Sequence, residues 1–128
     1  MNILDEDISV VECERLRARK IHFRQIGVEV GRLGMKDRTD IIPLLHTLRR
    51  PTFFTRDHGF YHASLLHSAC CLVYLDVAFD EIADFIRRFL RHSAFRTPAQ
   101  RMGKVVRVYH SGVSYWQVNV KKAHVLSW

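Results

Sequence analysis

No acidic residue follows Asp84 in this chain of 128 residues. Residues 1–84 carry 11 basic against 13 acidic side chains, a net of −2. Phe85 to Trp128 carries nine lysines or arginines and no acid, a net of +9. Carboxylate chemistry is thereby excluded from the last third, which suits a polyanion such as nucleic acid, or an acidic partner protein. Long apolar runs are also missing. None approaches the ~20 residues of a membrane-spanning helix, so no membrane partner is expected. The start, Met1 to Asp7, is acidic and has no basic-then-apolar leader pattern. Cysteine is scarce and odd in number: Cys13, Cys70 and Cys71 show neither a disulfide framework nor a metal-ligand spacing, and read as buried thiols in a reducing cytoplasm. The eight histidines include no His-Glu-x-x-His pattern, and His58, His62 and His67 read as surface or core histidines. With 48% hydrophobic residues disorder is excluded, and the length suits one domain with a real core.

The pattern alternates between strand and helix. Ile3-Leu4 is a short apolar strand, and Ser9 with Glu12 reads as a capping box opening a helix to about Lys20. Ile21–Ile26 alternates like a strand. Gly27, Gly31 and Gly34 loosen the chain before a helix from Asp37 or Asp40 to Leu48. Strands follow at Phe53-Phe54 and Leu72–Val77. Ile82, Phe85, Ile86, Phe89 and Leu90 mark one face of a helix, with acids in its first turn and arginines in its last. Lys104–His110 and Val113–Val120 flank Ser111-Gly112 as a β-hairpin, read as an extension beyond the core. The expected fold is therefore α/β with a mainly parallel sheet. Residues 1–96 form the main unit, and 97–128 a basic hairpin packed on it.

Acids punctuate these strands. Asp5 follows the first, Asp57 follows Thr52–Thr55, and Asp76 follows Leu72–Leu75. Parallel strands would bring all three to the carboxyl edge of the sheet, where ligands bind in open α/β folds. Carboxylates gathered at ~4 Å repel by about 4 kcal/mol per pair at an effective dielectric of ~20, and a hard divalent cation removes that cost. Asp5 is the foremost candidate, then Asp57; Asp37 precedes a helix and could reach the same edge or simply cap it. Asp76 is read first as a strand end or cap. Glu6 and Asp7 point to opposite sides. Arg56 and His58 flank Asp57 and could meet phosphate, while Tyr115 and Trp116 could stack on bases or pack on the sheet.

The segments Ile3-Leu-Asp5-Glu-Asp7, Gly34-Met-Lys-Asp37 and Thr55-Arg-Asp57-His-Gly-Phe60, in that order over about residues 1–95, resemble the PIN-like nucleases of bacterial toxin–antitoxin loci. The resemblance implies a three-layer α/β/α sandwich and Mg²⁺- or Mn²⁺-dependent cleavage of RNA. It implies catalytic and metal-binding positions at Asp5, Asp37 and Asp57, accompanied by Arg56. Asp7 and Asp76 are further candidate metal ligands. His58, Lys36, Arg38, Arg101 and Lys104 join Arg56 as expected RNA contacts. A cognate antitoxin protein is the implied partner, and a homo-oligomer stays open. The chain departs from the pattern at Gly59, where a further acid is expected, and Asp7 stands where Asn is commoner. Two rivals remain: a receiver-like phosphoacceptor domain using Asp57, and a catalytically weak PIN-like module that only binds RNA or protein. A phosphatase using Asp5 and Asp7 lacks the later acidic pair.

Overall fold

The computed structural model describes the backbone of residues 1–128 and every side chain except those of Asp37 and Arg38. Its strands are β1 (Asn2–Leu4), β2 (Arg24–Gln25), β3 (Thr52–Thr55), β4 (Cys71–Leu75), β5 (Lys104–Tyr109), β6 (Gly112–Gln117) and β7 (His124–Ser127). The helices are α1 (Val10–Ala18), α2 (Ile42–Thr47, entered through a π-turn at Asp37–Ile41), α3 (Ile82–Arg91) and α4 (Pro98–Arg101). One seven-stranded sheet runs β2-β1-β3-β4-β5-β6-β7. The first five strands in that order are parallel, and β6 and β7 are antiparallel.

Side chains alternate across the pleat, so the register sorts the core into two halves. Leu4, Phe54, Val73 and Val106 are aligned on one face, with Leu16 of α1 and Ile82, Ile86 and Phe89 of α3 packed over them. Ile3, Phe53, Leu72 and Val105 form the other face, covered by Ile41, Leu45 and Phe60. Helices on both faces explain why β3 is buried along its whole length.

The α1 and α3 faces are joined by a buried acid. Ser9 Oγ accepts the Glu12 N–H, as the capping pattern predicts, but the Glu12 carboxylate does not return to Ser9. It accepts the Ala83 N–H (3.0 Å) at the start of α3 and the Arg15 guanidinium (2.9 Å). The reciprocal capping box belongs to Thr97 and Gln100 instead, opening the single turn of α4 at Pro98.

Two expectations need correction. The Ile21–Ile26 strand shrinks to Arg24–Gln25, an edge pair held only by β1. The hairpin is no appendage: β5 is parallel to β4 along Cys71–Leu75, and Val105, Val106 and Val108 lie in the core. Apolar alternation showed the strand but could not show its neighbour. Topology holds a further surprise. The β2-to-β3 and β4-to-β5 connections move across the sheet in the same direction, yet α2 and α3 cover opposite faces. The two crossovers therefore differ in hand, against the strong preference of parallel βαβ units.

Candidate functional site

Because β1, β3 and β4 are adjacent and parallel, their carboxyl ends share one edge. Asp5 continues the β1 ladder by donating its N–H to Phe54 O (3.0 Å). The residue is 8% exposed. Oδ2 accepts the Thr55 hydroxyl (2.7 Å) and Oδ1 accepts the Glu6 N–H (2.9 Å). Thr55 Oγ1 in turn accepts the Asp57 N–H (3.0 Å), so one hydroxyl ties the two aspartates' segments together. Burial pushes the Asp5 carboxyl above its ordinary range. The Thr55 and Glu6 hydrogen bonds work against that push, and the negative charges of Asp7 and Glu6 add to it. Among the described residues no cation forms an ion pair with Asp5. It is a buried acid with spare oxygen lone pairs and a negative surround, which fits a hard cation.

The other acids are placed as follows. Asp57 Oδ1 accepts the Gly59 N–H (2.9 Å) and caps the short turn His58–Phe60. A Cβ at position 59 would stand 3.1 Å from that oxygen, so the glycine gives the cap its room. Glu6 accepts the Gly34 N–H (3.1 and 3.2 Å to its two oxygens), which draws the glycine-rich loop, and the backbone leading to Asp37, towards the end of β1. The side chains of Asp37 and Arg38 lie outside the described residues. Asp7 is exposed beside Asp5. Asp76 is drawn off: Arg107 donates to its Oδ2 from Nε (2.9 Å) and Nη2 (2.7 Å). Among the described residues, no three of these carboxylates bring an oxygen each within 4.8 Å of one another.

The expected RNA contacts divide. Lys36 and His58 are exposed near the acidic edge. Arg56 is exposed but spends Nε and Nη2 on Val77 O (3.3 and 3.2 Å). Arg101 and Lys104 do not belong with them. Both lie at the opposite edge, where β3 and β5 begin. Arg101 is 5% exposed and donates to Thr52 Oγ1 (2.9 Å) and Phe95 O (2.8 Å). Lys104 donates to Gln100 O and lies over the Phe95 and Tyr115 rings. Tyr115 is buried in the core rather than presented to a base, and Trp116 lies tilted against Tyr61 with ring centroids 4.6 Å apart.

Sequence reasoning missed Thr55, Arg107 and a second cluster. The threonine was visible in Thr-Arg-Asp, but its hydroxyl's role needs the β1–β3 pairing. Arg107 required β5 to pair with β4. The second cluster is His46, His67 and Cys70, whose ligating atoms all lie within 4.8 Å of one another. His67 and Cys70 are three positions apart but His46 lies 21 positions before His67, and Cys70, read as a buried thiol, has two imidazoles beside it. Burial holds its thiol up at about 11. No protein-family model, curated protein or solved structure matches the chain.

Proposed function

We propose that the acidic edge is the centre of a metal-dependent ribonuclease of PIN-like type, acting as the toxin of a toxin–antitoxin pair. The observation that carries this reading is the Asp5–Thr55–Asp57 network: a buried carboxylate with no ion-pair partner among the described residues, at the mouth of a parallel sheet, linked through Thr55 to the backbone of a second acid just beyond the end of the neighbouring strand. Mg²⁺ or Mn²⁺ commonly keeps several waters and takes only one or two carboxylates, so a tight acidic triad is not required. Asp5 would hold the cation. Asp57 would join it by turning from the Gly59 amide, and Glu6 and Asp7 would add field. The bound cation would supply an activated water and neutralise charge on the scissile phosphate. Lys36 and His58 are exposed and close in sequence to Gly34 and Asp57, and suit phosphate contacts.

The receiver-like rival shares the strand order of flavodoxin-like sheets. Against it, α3 covers the α1 face, and Asp57 stands beyond the strand end with its carboxylate committed to a turn. Single-stranded RNA incubated with the protein and Mn²⁺ should be cut, and chelator should stop it. Asp5→Asn should lower the rate by roughly 100-fold or more, about 3 kcal/mol of transition-state stabilisation. Uncut RNA that nevertheless binds would mark an inactive RNA-binding module. Undiminished cleavage by folded Asp5→Asn would move the chemistry elsewhere.

A further inference from the structure

His46 stands in the last turn of α2, and His67 and Cys70 lie in the segment leading into β4. Their two rings stack with centroids 3.9 Å apart and planes inclined by 26°. Both imidazoles are exposed, whereas Cys70 is 2% exposed and belongs to the core under α2. The arrangement is a mouth of two nitrogen ligands with a sulfur at its floor. Among the described residues it is the one group of three or more ligating side chains that converge so closely.

The donor set decides the metal class. Two imidazoles and a thiol are borderline to soft, and suit Zn²⁺ or Co²⁺ rather than the oxygen-seeking Mg²⁺ or Mn²⁺. Location separates the two centres as well. Cys70 immediately precedes β4, at the edge where the parallel strands begin, and Asp5 and Asp57 lie where they end. From this geometry we infer that His46, His67 and Cys70 form a three-ligand site for a Zn²⁺-class cation, with the fourth position open to water. Binding ties α2 to the start of β4 and releases the Cys70 proton. His67 Nδ1 accepts the Ala69 N–H (3.0 Å) in the free protein. Ligation through Nε2 moves the remaining ring proton to Nδ1, and the Ala69 amide then turns to water.

The test is titration of the full chain, cleared of metal by chelator and dialysis, with Co²⁺ as the probe. One equivalent should produce the visible bands of a four-coordinate ion and a near-ultraviolet sulfur-to-cobalt charge-transfer band. Zn²⁺ should erase both one for one. Cys70→Ser should abolish the charge-transfer band. His46→Ala and His67→Ala, at exposed positions that leave the core intact, should each weaken binding at least ~10-fold. The same titration in Asp5→Asn should be unchanged, which keeps this site's fate distinct from that of the acidic edge. Absence of a charge-transfer band at one equivalent would overturn the inference. So would Co²⁺ affinity that survives loss of either histidine in a protein with unaltered circular dichroism.

Discussion

Asp5 carries a conflict that can be measured. Its folded-state carboxyl is raised, with burial as the leading cause, so the fold penalises the ionised form relative to water. A raised acid contributes stability below its unfolded value, ~3.9, and loses that contribution as pH rises through the folded value. At pH 7 ionised Asp5 therefore weakens the apo fold. Asp5→Asn should melt higher than the parent at pH 7, and the gain should vanish below about pH 4; a gain that persisted in acid would contradict the assignment. A bound cation reverses the balance. Mn²⁺ at ~100 times its dissociation constant should stabilise the parent by about 2.7 kcal/mol and Asp5→Asn far less, read as melting temperature. Thr55→Val removes the shared hydroxyl at nearly constant shape, leaving the Asp57 N–H and Asp5 Oδ2 without it. The expected loss is about 1–3 kcal/mol in a urea midpoint.

At the scale of elements, the helix signals in the sequence held where they depended on local chemistry. The Ile82–Leu90 stripe became α3, with Ile82, Phe85, Ile86 and Phe89 buried, because a 3.6-residue period needs no knowledge of what lies opposite. Ser9 likewise capped α1 as read. Glu12 was legible only as a cap partner, since Ala83, its hydrogen-bond donor, lies 71 positions away. That bond places a carboxylate on the positive end of α3. Glu12→Ala should therefore cost about 1–3 kcal/mol by leaving a buried Ala83 N–H unpaired, and should destabilise α1 and α3 together in hydrogen exchange. A loss confined to α1 amides would show that the link between the helices is weak.

For the whole molecule, the charge asymmetry survives folding only in part. Arg101 is buried, Lys104 is laid on aromatic rings and Arg107 is paired with Asp76. The exposed remainder includes Arg87, Arg88 and Arg91 on α3, Arg96, and Lys121 and Lys122 between β6 and β7. Deleting residues from Arg101 onward would remove β5 from the sheet and unfold the chain, so it cannot probe binding. Changing Lys121 and Lys122 to Glu should leave stability within about 0.5 kcal/mol. If this surface meets RNA, the same change should weaken binding and flatten its salt dependence in filter-binding titrations. An unchanged salt slope would assign those charges to solvent or to a protein partner. Among the described residues no helix is long and apolar enough to cross a membrane.

Alternation of apolar residues and the order of strand and helix determined the α/β class, the parallel sheet and the edge where Asp5, Asp57 and Asp76 arrive, because period and connection length are local properties. What each side chain does on arrival was decided by neighbours distant in sequence. Asp76 meets Arg107 only because β5 lies beside β4, and Asp5 is coupled to Asp57 only because β1 pairs with β3. Arg101 turned from a surface cation into a buried one against Thr52 of β3, and His46 reached His67 and Cys70 because α2 packs over the segment leading into β4. A hydrogen bond or a metal ligand set is satisfied across space, and strand adjacency, which no single segment encodes, sets which groups come within reach.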